Sequence, residues 1–325
     1  MKLFCKKKKN NGRRHIYFCG LKIFSYKKKK ALSKYDLIYA KRFDGLTENE
    51  MRYCLEEQFK NTVAYPLNLD NPQTFNEKLQ WLKLYYHRNP NPLLTQCADK
   101  VGVREYVKEK IGEEYLIPCL GVWDNPDDID FDRLPNQFVL KVNWGSGQNI
   151  IVKDKSKLDI DATKNQLAQW MKPEQNHYFH FFEPCYKNIQ PKIIAEKYIE
   201  QMDGYLVDYK IHCFHGEAVL AQIIDRWETH KETIYTVKDW QKTSLHFTYH
   251  LLDREFKKTK TMEEIEKLAP LLSSNFPYAR IDFYDIDGKL YFGEITFFPG
   301  AGMLSMSPDW GRKLGDLLIL PKEDR

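Results

Sequence analysis

The spacing of apolar and polar positions changes character about a third of the way along the chain. Before residue 115, apolar residues recur at helical spacing behind hydroxyl residues that have a glutamate three places on. Thr47 with Glu50 and Thr74 with Glu77 have the form of capping boxes. The second opens a helix carrying Leu79, Trp81, Leu82 and Leu84, and a third pair, Thr261 with Glu264, predicts a late helix through Ile265 and Leu268. A further helix is expected over 99–111, because Gly112 follows it where a left-handed residue ends a helix. Proline-rich stretches at 89–92 and 124–135 read as loops. From 115 onward the pattern shortens into apolar or alternating runs at 115–123, 138–144, 149–153, 192–199, 207–214, 217–224, 278–285 and 289–297. Short turns join most of them, and helices separate the groups. That order predicts α+β sheets, not a doubly wound parallel sheet.

Composition adds scale and compartment. The 325 residues, 42% hydrophobic and 29% charged, suffice for two or three sub-domains with real cores. Cys5, Cys19, Cys54, Cys97, Cys119, Cys185 and Cys213 are dispersed, with no C-x-x-C pair. Such a set argues for reduced thiols and against a disulfide framework or a structural zinc site.

The net charge of +5 hides a polarity. Residues 1–30 hold twelve Lys/Arg and no acid, so the rest has 50 − 12 = 38 bases against 45 acids, or −7. No apolar run reaches the length of a membrane span, and the head lacks the apolar core of a secretory signal. The expectation is a cytoplasmic protein. The head reads first as a solvated arm. Its functional reading is docking on the anionic inner face of the membrane, at roughly 1 kcal/mol per Lys or Arg, helped by Phe4, Tyr17, Phe18, Phe24 and Tyr26. Nucleic acid is not an expected partner, since the acidic remainder repels phosphate.

Four segments carry candidate chemistry. In 138–153, Lys141 interrupts an apolar strand, where a charge is costly without an anion. Gly145 and Gly147 follow it, letting backbone N–H groups approach a phosphate. In 192–199 a strand runs into Glu200 and Asp203, acids suited to ribose hydroxyls. Lys210 alternates with apolar neighbours as Lys141 does, and two such lysines could clamp one polyphosphate. His212 lies on the face opposite Cys213 and His215, so these read as structural. Taken singly, each of these pieces reads as readily as an ordinary turn or edge strand.

The fourth segment, 278–300, is the most informative. Alternation puts Arg280 with Asp282 on one face of a strand, and Glu294 with Thr296 on one face of the next. A two-residue Asp287-Gly288 turn would leave the two pairs on opposite sides. A three-residue loop, Ile286-Asp287-Gly288 with the glycine left-handed, brings them together and is the expected connection. Two carboxylates beside a hydroxyl are the oxygen ligands that Mg²⁺ takes when shared with phosphates. Arg280 beside them can stabilise a transferring phosphoryl group.

In this order the parts resemble the ATP-grasp superfamily. More narrowly, the chain is similar to the TupA-like branch, found with teichuronopeptide and capsule polysaccharide genes. The residues carrying that likeness are 71–81 (NPQTFNEKLQW), Ala98-Asp99-Lys100, Leu134-Pro135, Asp208-Tyr209-Lys210 and Phe297-Phe298-Pro299-Gly300. The resemblance implies an ATP-grasp fold with ATP between two α+β sub-domains at 115–200 and 201–325. A basic head at 1–44 and a helical region at 45–114 precede them.

It further implies ATP and Mg²⁺ as cofactors. Lys141, Ser146 and Gly147 would meet the phosphates, with Lys100 and Lys210 as further phosphate ligands. Glu196, Lys197, Tyr198 and Ile199 would form the adenine hinge, and Glu200 or Asp203 would stand near the ribose. Asp282, Glu294 and Thr296 would hold metal. Arg280 and Lys210 would be catalytic, facing an acyl phosphate. The implied activity is ligation of a carboxylate, a uronic acid of a polysaccharide precursor, to an amine such as that of an amino acid. The alternative is a glycosyltransferase of envelope glycan assembly, for which Asp285-Ile286-Asp287 has the Asp-x-Asp form.

Overall fold

The computed structural model describes residues 4–8, 13–18, 21–27, 32–63, 65–199, 207–225, 231–247, 250–251 and 255–322. The chain divides into two compact units, Met1–Leu46 and Thr47–Arg325. In the first, strands β1 (Phe4–Lys8), β2 (Arg13–Phe18) and β3 (Leu21–Lys27) form an antiparallel sheet, followed by helix α1 (Lys34–Ala40). The head is therefore a small sheet and not only a solvated arm. Its Phe, Tyr and Ile residues are strong strand formers, and they outweigh the lysines between them.

The second unit opens with helices α2 (Glu48–Val63) and α3 (Phe75–Arg88). Both capping boxes form: Glu77 N–H donates to Thr74 Oγ1 at 3.3 Å and Thr74 N–H to Glu77 Oε2 at 2.9 Å, and Thr47 with Glu50 does likewise. The expected helix over 99–111 is shorter, starting at Val103, and a separate helix precedes it. Pro92 occupies the first turn of α4 (Pro92–Ala98), with Asn91 as its cap, so the stretch read as loop starts a helix. Asp99 Oδ1 then accepts from Val101 N–H at 2.8 Å, turning the chain before α5 (Val103–Lys110). Gly112 has φ +115, as its place after the helix required.

Two antiparallel sheets follow. Strands β4 (Cys119–Trp123), β5 (Phe138–Val142), β6 (Asn149–Val152) and β7 (Ile193–Lys197) pair in the order β4-β7-β5-β6. Helices α6 (Ile160–Trp170) and α7 (His177–Phe181) lie between β6 and β7 in sequence. Strands β8 (Val207–Phe214), β9 (Glu217–Asp225), β10 (Lys231–Thr236), β11 (Tyr278–Ile286) and β12 (Lys289–Thr296) pair in the order β10-β9-β8-β11-β12. Helix α8 (Lys260–Ser273) is capped by Thr259, whose side chain accepts from Met262 N–H. It starts two residues before the Thr261–Glu264 pair would place it. Helix α9 (Pro308–Leu317) packs on α3.

The five-stranded sheet has one apolar and one polar face. Ile211, Cys213, Ala221, Ile223, Ala279, Ile281 and Phe283 are buried on the side that packs on Ile265, Ala269 and Leu272 of α8. Alternation then sends Asp208, Lys210, His212, Arg280 and Asp282 to the other side. Among the described residues no helix is long and apolar enough to cross a membrane. The five cysteines whose side chains are described are free thiols.

Candidate active site

The polar face of the five-stranded sheet is an ion cluster built by register. Lys210 pairs across the ladder with Asp282, and Asp282 with Glu294. Lys210 Nζ lies 2.5 Å from Asp282 Oδ2 and 3.1 Å from Asp208 Oδ2. Arg280 grips Asp282 with two bonds, Nε to Oδ1 at 2.7 Å and Nη2 to Oδ2 at 2.8 Å. The same Nη2 donates to Glu294 Oε1 and Thr296 Oγ1, each at 3.0 Å. Burial opposes the charge on Arg280, but Asp282 and then Glu294 outweigh it and hold the guanidinium pKa above its ordinary value.

Asp282 and Glu294 share a side, but not by the expected loop. Ile286 pairs directly with Lys289, so the turn is the two-residue Asp287-Gly288, with φ of +53 and +79. Both residues are left-handed, as the mirror-image hairpin turn demands. The side change comes instead from a bulge, since Asp282 opposes Glu294 while Phe283 opposes Phe292, leaving Gly293 as the extra residue. A Cβ on Gly293 would sit 3.1 Å from Asp282 O and 3.1 Å from the Tyr284 ring. The bulge moves Glu294 to the side a plain hairpin would deny it.

Around the four-stranded sheet the sign of the charge reverses. Lys141 Nζ lies 2.6 Å from Glu196 Oε2, and Arg104 Nη1 lies 3.2 Å from Glu196 Oε1. Lys100 Nζ donates to Gly145 O at 2.6 Å, tying the glycine loop to the start of α5. Burial lowers the pKa of Lys100, and Glu294 partly offsets this, ahead of a further lowering by Lys141. Lys100, Arg104, Lys141 and Glu196 line a cleft together with Tyr186, Tyr284, Gly293 and Glu294. Both sheets thus face one cleft, with Glu294 on its wall.

A second cavity lies on the same polar face, lined by Lys210, Arg280, Gln222, Phe247, Pro299 and Gly300 among others. His212 is buried at its base between Tyr278 Oη at 2.8 Å and Gln222 Oε1 at 3.2 Å. Burial, with Arg280 and Lys210 close by, pushes its pKa down to about 3, so the imidazole is neutral. Gln222 in turn donates to Glu232, which accepts from Phe247 N–H at 2.5 Å.

The structure brings together Lys100, Lys141, Glu196 and Glu294 in the first cleft, and Lys210 with Arg280 at the second cavity. Asp282 and Thr296 join the two through Arg280. Lys197 is exposed, Tyr198 buried and Ile199 half-buried, and none is among the cleft residues named above. Lys197 N–H donates to Pro118 O at 2.9 Å. Ser146 and Gly147 are exposed in the β5–β6 turn, with Gly147 at φ +69. Glu200 and Asp203 lie outside the described residues. Sequence reasoning missed Arg104, Asp208 and Tyr186 as site residues. Arg104 gave a signal: it stands beside Val103, on the helix that follows Lys100.

The donor set fits a hard cation. Arg280 Nη2 marks one point that Asp282 Oδ2, Glu294 Oε1 and Thr296 Oγ1 all reach within 3.0 Å. Among the described residues no group of three or more His, Cys, Asp or Glu lies close enough to hold a metal by itself. Two carboxylates and a hydroxyl suit Mg²⁺, which takes its other oxygens from phosphate and water.

Two antiparallel sheets lining one cleft, with basic groups on one and acids on the other, make the fold that of an ATP-grasp protein. The model of the TupA-like ATP-grasp family matches residues 77–319, and the chain belongs to that family. Among solved structures, D-alanine–D-alanine ligase from Bacillus anthracis is 19% identical over 64% of this chain and 58% of its own, with TM-score 0.38. The Helicobacter pylori D-alanine–D-alanine ligase is 13% identical over 69% of this chain and 61% of its own, with TM-score 0.37. D-cycloserine synthetase is 14% identical over 76% and 80%, with TM-score 0.43. The chain therefore spans less than two thirds of the length of the two D-alanine ligases. No curated protein matches it.

Proposed function

We propose that this chain is an ATP-dependent ligase that activates a carboxylate as an acyl phosphate and passes the acyl group to an amine. The observation that carries this reading is the convergence of Asp282, Glu294 and Thr296 oxygens on one point at the wall of a cleft lined by Lys141 and Lys100. A carboxylate resists attack by an amine until one of its oxygens becomes a leaving group. ATP supplies that group when a carboxylate oxygen attacks the γ-phosphorus and ADP departs. The amine nitrogen then attacks the acyl carbon, an amide forms, and inorganic phosphate leaves.

Each role follows from charge and position. Lys141 and Lys100, with the loop at Ser146 and Gly147, meet the phosphates. Glu196, Lys197, Tyr198 and Ile199 serve the adenine, and Asp203 the ribose. Asp282, Glu294 and Thr296 would hold Mg²⁺. Bound Mg²⁺ neutralises phosphate charge and aligns the transferring group. Arg280 and Lys210 are the catalytic cations facing the acyl phosphate in the second cavity.

The acid is a uronic acid of a surface-polysaccharide precursor and the amine resembles an amino acid. The likeness to the TupA-like branch supports this, as does a cavity that pairs two cations with the hydrogen-bonding His212 and Gln222. The basic residues of 1–30 would bring the enzyme, on the cytoplasmic side, to an anionic membrane surface. The glycosyltransferase alternative loses its motif, because Asp285 Oδ1 accepts from Gly288 N–H at 2.9 Å and so serves the hairpin turn.

Thermal stabilisation by Mg-ATP against Mg-UDP-glucose tests the reading, with wild type beside Glu294→Ala. Stabilisation of the wild type by Mg-ATP alone, weakened in the variant, is expected. Stabilisation by the nucleotide sugar and not by ATP would overturn it.

A further inference from the structure

Besides Glu77, which caps it, helix α3 buries three polar side chains that the proposed chemistry does not use. Asn76, Gln80 and Lys83 stand at i, i+4 and i+7, one face of the helix, with 1%, 1% and 0% exposure. They point not at one another but at the backbone that follows β12. Asn76 Nδ2 donates to Leu304 O at 2.8 Å, and its Oδ1 accepts from Leu304 N–H at 3.2 Å. Gln80 Nε2 donates to Ala301 O at 3.0 Å and to Gly302 O at 2.8 Å. Lys83 Nζ donates to Ala301 O and to Phe181 O, each at 2.8 Å.

The turn they hold is unusual. Gly300, Ala301 and Gly302 are left-handed in succession, with φ of +57, +54 and +67. Alanine rarely adopts that conformation unless its surroundings dictate it. A Cβ on Gly302 would sit 2.7 Å from Gln80 Nε2 and 3.0 Å from Leu79 Cβ, so backbone and helix approach as closely as glycine allows. The turn matters because Pro299, Gly300 and Leu304 form a wall of the cavity that contains Lys210 and Arg280.

Lys83 adds a second connection. Phe181 lies five residues before Tyr186, which lines the cleft of Lys141 and Glu294. One ammonium therefore ties the wall of the second cavity to the segment that feeds the first. Burying it is expensive, and the site shows the cost: its pKa is pushed down to about 8 by burial, with Glu183 partly compensating. A methionine of similar length would fill the space without that cost. What methionine cannot do is donate to two carbonyls at once.

We infer that Asn76, Gln80 and Lys83 are positioning residues for the acid-binding cavity. They hold the 300–302 turn in its left-handed form and so set where the wall stands relative to Lys210 and Arg280. The inference rests on the ligase reading only in assigning the acid to that cavity.

The test uses the full chain with Lys83→Met and, should that variant not fold, Gln80→Leu, which removes two donors and leaves the lysine. Hydrogen exchange is read at the amides of Met303 and Leu304, which donate to Gly300 O and Asn76 Oδ1. Calorimetry reads Mg-AMP-PNP binding, and then glucuronate binding to that complex. The expected result is exchange at those amides faster by about tenfold and glucuronate held about tenfold more weakly, with the nucleotide Kd unchanged to within about twofold. Unchanged exchange in a folded variant would overturn the inference, as would a loss that falls on the nucleotide instead. If wild type binds nucleotide but no glucuronate, the uronate reading fails, while the exchange data still decide whether these residues position the turn.

Discussion

The two sheets bring opposite surpluses of charge to the same region. Around β5 and β7, the cations Lys100, Arg104 and Lys141 stand against one acid, Glu196. On β8, β11 and β12, the acids Asp208, Asp282 and Glu294 stand against two cations, Lys210 and Arg280. Neither surplus is neutralised within its own sheet. A polyanion that brings a divalent cation would satisfy both, which is why the arrangement reads as a metal–polyphosphate site and not as a pair of structural salt bridges. The clusters also differ in depth. Asp282 is 1% exposed with both oxygens engaged, whereas the Glu294 side chain is 45% exposed. The inner acid holds the cluster together, and the outer one is free to change partners.

That contrast separates stability from binding. Asp282→Ala removes the buried acid that Arg280 and Lys210 share, leaving Arg280 to Glu294 and Lys210 to Asp208, and should cost about 3–5 kcal/mol in urea unfolding. A loss below about 1 kcal/mol would show that the cluster is hydrated and weakly coupled. Gly293→Ala tests the bulge that puts Glu294 in place. Its methyl crowds Asp282 O and the Tyr284 ring, and a destabilisation of about 1–3 kcal/mol is expected, together with weaker Mg-ATP binding. Tolerance of the alanine with wild-type binding would mean that the register has slack.

The buried imidazole gives a pH signature on the five-stranded sheet. With its folded pKa near 3 against 6.5 unfolded, His212 stays neutral in the native state while the unfolded chain takes up a proton. Stability from this group is complete above the unfolded pKa and declines as pH falls from 6.5 toward 3. The slope is about 1.4 kcal/mol per pH unit within that window. His212→Gln should remove that component of the acid limb; parallel wild-type and variant curves would contradict it. The smallest stability effect belongs to Glu294→Ala, whose half-exposed carboxylate should cost no more than about 1 kcal/mol.

Much of the site was legible because strand alternation is rigid. Lys141, Lys210, Arg280 and Asp282 each interrupt apolar runs, and their faces follow from counting by two. The relation of Asp282 to Glu294 was not legible by the same count, because a bulge adds a residue without leaving a turn signature. Gly293 within a strand was the available hint. The helix expected over 99–111 begins only at Val103, because Asp99 accepts from Val101 N–H and serves its own turn, a choice that packing decides. Strand β10 went unseen because it begins with Lys231 and Glu232, which look solvated until Glu232 is found buried against Gln222 and Phe247 N–H. The row Asn76, Gln80 and Lys83 was visible as polar residues on one helical face, but their carbonyl partners lie more than two hundred residues away or across α7.

The most direct test of the central claim is calorimetric titration with ATP, with and without Mg²⁺, on wild type, Glu294→Ala and Lys141→Met. If the two surpluses meet on one metal–nucleotide, Mg²⁺ should tighten ATP binding to wild type by about tenfold or more. Glu294→Ala should lose that increment while keeping metal-free binding, and Lys141→Met should weaken binding in both conditions. Equal ATP affinity with and without Mg²⁺ in wild type, or an undiminished Mg²⁺ increment in Glu294→Ala, would contradict the account.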